Sequence, residues 1–308
     1  MQISWNGVYP ALTTKFTDND ELDLPLFAKN LHAQVDGGVA GVIIGGSLGE
    51  ASTLTKDEKE ILVKFALQEI GDKVPVIVNI AEGATRDAVA LAKDAEKWGA
   101  DGLMLLPPMR YKSDERETVE FFKTVAVATS LPIILYNNPV DYKIEITLDM
   151  FDQLKHIDNI QAIKESTRDV SNVTRLKNKF GDRYKILCGV DTLTFEELSA
   201  GADGLVAGLV CAFPAETVAI FDLIKAEKYQ EALKIYRWFM PLLEFDILPK
   251  LVQYIKLCEV YTGIGSENVR APRLPLIGEE RKTAIKTIET ALATIPALSK
   301  SKTLEPAY

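Results

Sequence analysis

Short apolar segments alternate with longer amphipathic segments along the first 226 residues of the chain. The short segments are almost continuously apolar, which is typical of strands buried on both faces of a parallel sheet. In the longer segments apolar residues recur every three or four positions, as on one face of a helix. The predicted strands are residues 8–13, 42–44, 74–80, 103–106, 132–136, 160–164, 184–188 and 205–207. The predicted helices are residues 24–36, 56–70, 85–98, 116–129, 148–156, 170–180, 192–200 and 214–226.

This alternation predicts an α/β protein in which eight strand–helix units close into a (β/α)8 TIM barrel. An open doubly wound sheet is the alternative, but the number of units and the absence of a G-x-G-x-x-G motif favour the barrel. Three similar tetrapeptides, which begin at Gly38, Gly99 and Gly201, each stand between a helix and the next strand. We expect the first glycine of each to end its helix in the left-handed conformation and the last glycine to allow close packing of the strand.

Beyond residue 226 the alternation stops, and amphipathic segments follow at 228–244, 248–261 and 279–292. We therefore assign residues 1–226 to the barrel and residues 227–308 to a C-terminal extension of three helices. The extension carries no recognisable chemistry and is expected to pack on the barrel or to form an oligomer contact. Helical spacing places its Lys256 opposite part of the apolar stripe, so we expect this lysine to be exposed.

The composition is that of a globular protein, with 47% apolar and 26% charged residues. A net charge of −9 and the lack of a Lys/Arg cluster argue against nucleic-acid binding. No apolar run approaches the roughly 18 residues of a membrane span. Three widely separated cysteines favour a reduced, cytoplasmic protein, and the two histidines, His32 and His156, have no neighbouring ligands for a metal ion.

The sixth predicted strand ends in a lysine, Lys164, after which the chain becomes polar. An ammonium group at the mouth of an apolar barrel strand is costly, because burial favours the neutral amine. A neutral lysine amine is the nucleophile of Schiff-base chemistry on a carbonyl or a cyclic imine. Taken alone, Lys164 could equally close the strand and point to solvent.

Two further strand ends would lie near Lys164 and are candidate parts of the same site, because active sites of such barrels lie at the carboxyl ends of the strands. Tyr136 ends the fifth strand 28 residues before Lys164, so neighbouring strands would place the two residues side by side. It is a candidate general acid–base, the alternative being a core tyrosine with a bonded hydroxyl. The second strand ends in the glycine-rich residues 45–50, where backbone N–H groups can hold a carboxylate and Ser47 can relay a proton. A purely structural turn is the alternative there.

With these segments the chain resembles the dihydrodipicolinate synthase / N-acetylneuraminate lyase superfamily over essentially its whole length. The resemblance rests on Gly46-Ser47-Leu48-Gly49-Glu50, Tyr136-Asn137-Asn138-Pro139 and Ile163-Lys164-Glu165-Ser166. It implies a (β/α)8 barrel with a C-terminal helical segment, a homotetramer, no metal, and no cofactor beyond the Schiff base of Lys164 with a 2-oxo acid. It also implies Tyr136 as the proton relay, with Ser47 and Leu48 in the loop that binds the substrate carboxylate. We further expect the substrate to contact Gly46, Gly189 and Gly208.

Three departures from the superfamily narrow the function. The second hydroxyl residue of the loop, commonly threonine, is here Leu48, which offers only its backbone N–H. The synthases have a tyrosine after strand four that reaches into a neighbouring subunit, whereas Pro107-Pro108-Met109 stands here, and Tyr111 either replaces that tyrosine or only packs. The synthases place an arginine after Tyr-Asn-x-Pro, where this chain has Val140-Asp141. If Asp141 is not plain loop surface, it would repel a second carboxylate by about 1 kcal/mol, which disfavours dihydrodipicolinate synthesis.

A closer resemblance is to the 1-pyrroline-4-hydroxy-2-carboxylate deaminases of bacterial hydroxyproline catabolism. It rests on Val140-Asp141-Tyr142 and on the stretches 235–243 and 251–259. It implies that Lys164 attacks C2 of the cyclic imine, that the C4 hydroxyl leaves as water, and that hydrolysis releases ammonia and 2-oxoglutarate semialdehyde. The alternatives are an aldolase or dehydratase of a sugar-derived 2-oxo acid, a dihydrodipicolinate synthase-like lyase, and a non-catalytic ligand-binding barrel.

Overall fold

Eight parallel strands form the centre of the protein in the computed structural model, which describes residues 1–108 and 111–298. The strands are β1 (Gly7–Pro10), β2 (Val42–Ile44), β3 (Val76–Ile80), β4 (Gly102–Leu105), β5 (Ile133–Asn137), β6 (Ile160–Glu165), β7 (Lys185–Cys188) and β8 (Gly204–Ala207). They are ordered β1-β8-β7-β6-β5-β4-β3-β2. Hydrogen bonds from the Ala40 N–H to Val8 O (2.8 Å) and from the Leu12 N–H to Ile43 O (2.9 Å) join β1 to β2 and close the ring. The predicted (β/α)8 barrel is confirmed.

Helices alternate with the strands around the barrel. They are α1 (Leu24–Asp36), α2 (Lys56–Ile70), α3 (Thr85–Trp98), α4 (Glu115–Ala126), α5 (Pro139–Tyr142), α6 (Leu148–Leu154), α7 (Ser171–Phe180), α8 (Thr194–Ser199) and α9 (Pro214–Lys225). The short α5 was not predicted. It forms because the Asn138 side chain accepts a hydrogen bond from the Asp141 N–H at 3.1 Å and Pro139 stands in the first turn. Within the described residues, no helix is both long enough and apolar enough to span a membrane.

Three more helices follow the barrel: α10 (Tyr229–Leu243), α11 (Leu251–Tyr261) and α12 (Gly278–Ala293). A 3-10 turn, Glu244–Ile247, links α10 to α11 and packs against another 3-10 turn, Asp191–Leu193, at the end of β7. The helix α10 packs on α9 and on α12. The extension therefore reaches from the side of the barrel to its open end. Residues 299–308 of the predicted extension lie outside the described residues.

The prediction that Lys256 is exposed is wrong, because this lysine on α11 is fully buried. Its Nζ donates to Glu50 Oε1 at 2.5 Å and to Asn268 O at 2.6 Å. The face of α11 opposite its apolar stripe meets the loop after β2 instead of solvent. Periodicity along one helix could not show this second neighbour.

The glycine tetrapeptides at the bottom of the barrel behave as predicted. The φ angles are +87° at Gly38, +92° at Gly99 and +105° at Gly201, all in the left-handed region. The last glycine of each tetrapeptide lies against a neighbouring strand or the residues just before one. A side chain at Gly204, for example, would collide with the backbone of Gly7. These positions serve the packing of the barrel.

Candidate functional site

Among the residues that the structure describes, three lysines are buried: Lys15, Lys164 and Lys256. Lys15 lies 2.9 Å from Glu259, and Lys256 lies 2.5 Å from Glu50, so each has a buried carboxylate partner. Lys164 is only 6% exposed, yet it makes no hydrogen bond or ion pair with any described residue. Burial lowers the pKa of the Lys164 ammonium. Burial also lowers the pKa of Lys256, to about 8, but Glu50 stabilises that ammonium as an ion pair. Lys164 has no such bonded partner among the described residues, and the neutral amine that burial favours is the form that attacks a carbonyl.

Tyr136 lies directly beside Lys164, because β5 and β6 pair in register at these two residues. The Lys164 Nζ lies over the aromatic ring, 3.9 Å from its centroid. The Tyr136 hydroxyl accepts a hydrogen bond from Asn138 Nδ2 at 3.1 Å. Burial raises the pKa of Tyr136 to about 12, so its hydroxyl stays protonated near neutral pH. The predicted juxtaposition of lysine and tyrosine is thus present, with a phenol that can donate a proton.

Ser47 does not bond directly to Tyr136. Its Oγ lies 2.7 Å from the hydroxyl of Tyr142, and the Tyr142 ring packs edge-on against the Tyr136 ring with centroids 5.4 Å apart. A proton path from Ser47 therefore meets a second phenol first. Sequence analysis missed Tyr142 as a site residue, because its position depends on the short helix α5.

The glycine-rich loop after β2 presents its backbone to the pocket. Gly46, Ser47 and Leu48 line the pocket, and Gly45 turns the chain with a φ of +73°. The N–H groups of Ser47 and Leu48 donate to no described residue. Two neighbouring free N–H groups form a suitable cradle for a carboxylate. The Leu48 side chain is buried and contributes packing.

Two predicted glycines, Gly189 and Gly208, also line the pocket. A Cβ at Gly189 would lie 2.8 Å from Lys164 Cγ, and a Cβ at Gly208 would lie 2.7 Å from Asp246 Oδ1. Both glycines therefore keep room for functional side chains next to them.

Two buried or half-buried aspartates near Lys164 were not predicted. Asp191 accepts hydrogen bonds from the Gly208 N–H at 3.0 Å and the Leu209 N–H at 2.7 Å. Asp246 Oδ2 accepts one from the Asp191 N–H at 3.3 Å and lies in the wall of the pocket. Burial, followed by the charge of Asp191, raises the pKa of Asp246 to about 8. The extension, which was predicted to carry no chemistry, thus places a carboxyl group in the pocket.

Other predicted residues lie at the rim or elsewhere. Asp141 is exposed, as expected, but it also lines the pocket and accepts a hydrogen bond from Asn138 Nδ2 at 2.8 Å. Arg168, which was not predicted, lines the pocket as well, and its guanidinium bonds to no described residue. Tyr111 is 55% exposed and lies in a different groove. Met109 is outside the described residues. Across residues 1–108 and 111–298, no three His, Cys, Asp or Glu side chains are placed to hold a metal ion.

Comparison with known proteins gives consistent matches. Residues 4–291 match the dihydrodipicolinate synthetase family. A 4-hydroxy-tetrahydrodipicolinate synthase of Exiguobacterium sibiricum is 32% identical over 289 residues, which cover 93% of this chain and 97% of that protein. The synthase of Methanosarcina barkeri is 30% identical over 273 residues, covering 88% of this chain and 93% of that protein. The dihydrodipicolinate synthase structure from Bacillus anthracis superposes with a TM-score of 0.90 at 28% identity, covering 96% of this chain and 100% of that chain.

Proposed function

The chain belongs to the dihydrodipicolinate synthetase family, and on that premise we propose that it is a lyase in which Lys164 forms a Schiff base with a small 2-oxo acid or a cyclic imine of one. The observation that carries this proposal is that Lys164 is buried beside a protonated phenol and makes no hydrogen bond or ion pair with a described carboxylate. A structural lysine at this depth would be paired, as Lys15 and Lys256 are. The covalent chemistry then comes from the lysine itself, without a further cofactor.

The surrounding groups fit the steps of such a reaction. The free N–H groups of Ser47 and Leu48 hold the substrate carboxylate, which fixes C2 in front of the Lys164 amine. Once the Schiff base has formed, it acts as an electron sink and acidifies C3. Tyr136 lies next to the same nitrogen and moves protons there, with Tyr142 and Ser47 behind it.

Two substrate classes are compatible with this site. The relatives named 4-hydroxy-tetrahydrodipicolinate synthases favour a synthase-like lyase. In such a lyase the enamine carbon on Lys164 would form or break a carbon–carbon bond. Asp141 at the pocket rim favours the deaminase instead, because it repels a second carboxylate by about 1 kcal/mol but tolerates a neutral hydroxylated ring. In the deaminase, Lys164 opens 1-pyrroline-4-hydroxy-2-carboxylate, water leaves from C4, and hydrolysis releases ammonia and 2-oxoglutarate semialdehyde.

A borohydride trapping experiment tests the proposal. The protein is incubated with pyruvate, with sugar-derived 2-oxo acids and with 1-pyrroline-4-hydroxy-2-carboxylate, then reduced and mapped by peptide mass spectrometry. We expect an adduct on Lys164 and none in Lys164→Ala. Ammonia release identifies the deaminase, and pyruvate formation identifies an aldolase. Consumption of pyruvate in the presence of an added aldehyde, whose carbonyl carbon the enamine attacks, identifies a synthase-like lyase. An unmodified Lys164 with every compound would refute the Schiff base. A ligand-induced thermal shift without product would indicate a non-catalytic barrel.

The resemblance also implies a homotetramer, which we propose for this chain. Analytical ultracentrifugation of the full chain tests it, and a mass of one subunit would refute it.

A further inference from the structure

Asp246 is brought to the open end of the barrel by the 3-10 turn Glu244–Ile247, although that turn comes after the last strand–helix unit. Within the described part of the chain, its carboxyl group is held through one oxygen: Oδ2 accepts a hydrogen bond from the Asp191 N–H at 3.3 Å. The space for Oδ1 exists because residue 208 is glycine, where a Cβ would come within 2.7 Å of that oxygen. The carboxyl group faces the pocket that Lys164 and Tyr136 also line.

The order of the strands places Asp246 and Tyr136 on opposite sides of the lysine. Tyr136 is on β5, which pairs with one edge of β6, the strand of Lys164. Asp246 contacts the ends of β7 and β8 through Asp191 and Gly208, on the other edge. A substrate bound to Lys164 therefore lies between a phenol and a carboxyl group.

The protonation of this carboxyl group suits a proton donor. Burial and the neighbouring Asp191 raise its pKa to about 8, so it carries a proton at neutral pH, whereas the pKa of Tyr136 is raised to about 12. The titratable or charged side chains that line the pocket with Asp246 or contact it from a neighbouring loop are Lys164, Tyr136, Tyr142, Asp141, Asp191 and Arg168. The superfamily's second loop hydroxyl is replaced here by Leu48, so the loop itself offers one hydroxyl, and Tyr142 already bonds to it.

We propose that Asp246 is a second acid–base residue of this enzyme, which donates a proton to the oxygen that leaves C2 of a 2-oxo acid when the Schiff base on Lys164 forms. This role rests on the proposed function. The Lys164 amine adds to the C2 carbonyl, so that an N–C bond forms and a carbinolamine results. The carbinolamine oxygen takes the Asp246 proton, the C–O bond breaks, and water leaves. The nitrogen lone pair completes the C=N bond, and the resulting iminium cation is balanced by the Asp246 carboxylate. On product release the carboxylate takes a proton from the water that attacks C2.

A purely positioning role is the competing explanation, since Asp246 also holds the Asp191 N–H. The two roles differ in pH dependence. A donor with a pKa near 8 loses its proton above that pH, so Schiff-base formation should then slow down. Deprotonation of the lysine amine has the opposite effect, because the neutral amine is the nucleophile and its fraction rises with pH. A positioning residue would lower the rate equally at all pH values.

The test is single-turnover adduct formation with pyruvate as the probe, run from pH 5 to 9.5 and quenched into borohydride at one fixed pH, with intact-protein mass as the readout. We compare the full chain with Asp246→Asn, which keeps the size and the acceptor oxygen, and with Glu244→Gln, an exposed carboxylate of the same turn. We expect Asp246→Asn to form the adduct at least about 100-fold more slowly at pH 7 and to lose the alkaline fall in rate. Glu244→Gln should match the unmodified protein.

A second variant, Asp246→Ala, leaves a space in the pocket wall, and added formate should restore part of its rate. The donor role would be overturned if the rate of adduct formation in Asp246→Asn still fell at alkaline pH. It would also be overturned if Asp246→Asn and the unmodified protein formed the adduct at equal rates. Neither result would affect the Schiff base itself. Failure of formate to restore Asp246→Ala would also count against the donor role. If the unmodified protein forms no adduct on Lys164 with pyruvate or any compound of the panel above, the proposed function fails, and this role fails with it.

Discussion

Replacing each of the three buried lysines by methionine should separate the lysine that acts from those that hold the fold. Methionine keeps the length and apolar stem of lysine and removes the charge. In Lys256→Met, the carboxylate of Glu50 stays buried and loses its 2.5 Å partner. In Lys164→Met, no described carboxylate loses a hydrogen bond or ion pair, because Lys164 has none. We therefore expect opposite signs for the two changes in the free energy of unfolding.

The magnitudes follow from these contacts. Removing one partner of a buried ion pair costs about 3–5 kcal/mol. Glu50 keeps a hydrogen bond from the Arg270 N–H at 3.0 Å and the Arg273 guanidinium at 3.8 Å, so we take the lower value, about 3 kcal/mol, for Lys256→Met. With an unfolding entropy of about 2.1 cal/mol/K per residue, the 308 residues give roughly 0.65 kcal/mol/K, and the midpoint falls by about 5 °C. Lys164→Met should instead gain about 1 kcal/mol, because it removes a buried amine that has no hydrogen-bond partner among the described residues.

Thermal unfolding followed by circular dichroism at pH 7.5 measures these shifts at matched protein concentration. Lys15→Met is the control for a second structural pair, since it leaves Glu259 without its 2.9 Å partner, and it should behave like Lys256→Met. Activity should be abolished in Lys164→Met although the protein stays folded. Lys15→Met and Lys256→Met should lose activity only as far as they lose folded protein. If Lys164→Met lowers the midpoint as much as the two controls do, Lys164 is a structural lysine and the reasoning from its missing partner is refuted.

Three further predictions concern the groups around the lysine. Tyr136→Phe should slow turnover by on the order of 100- to 10,000-fold while the borohydride adduct still forms; loss of the adduct would show that the hydroxyl is needed earlier. Ser47→Ala and Tyr142→Phe should each slow turnover by similar factors. The double variant should be little slower than either single variant, because the two side chains share one hydrogen bond. Additive losses of rate in the double-mutant cycle would contradict this. The pKa of Asp246 is about 8 in the folded protein, against about 4 in an unfolded chain. The unfolded state therefore loses this proton at a lower pH than the folded state. As a result, the free energy of unfolding falls as the pH rises from about 4 to about 8. Urea unfolding at pH 5 and 8.5 should show a smaller fall in Asp246→Asn, and an unchanged fall would disprove the shift.

The barrel could be predicted because its periodic signals are local. Apolar strands, amphipathic helices and the glycines at 38, 99 and 201 each report on a few neighbouring residues, and their regular repetition specifies the closed sheet. The pairing of Tyr136 with Lys164 could be predicted as well, because the two residues end consecutive strands one β/α repeat apart, and consecutive strands are neighbours in the barrel.

The missed features all depend on contacts between distant parts of the chain. Asp246 lies in the short link between two predicted helices, and only the approach of the extension to β7 and β8 makes it part of the pocket. Lys256 was misjudged because a helix can bury its polar face when a loop from another part of the barrel supplies a carboxylate. Tyr142 became a neighbour of Ser47 through a four-residue helix, which is too short to produce a periodic pattern.

The pairing of Lys256 with Glu50 has a consequence for how such enzymes can change during evolution. Glu50 closes the loop that contains Ser47 and Leu48, and it is also bonded by the Arg270 N–H, so residues from two places in the last quarter of the sequence clamp that loop. A chimera that joined this barrel to the terminal helices of a relative would have to exchange the clamp as a set. Inheritance of the loop and of the distant helix that secures it is therefore coupled, even though more than two hundred positions separate them.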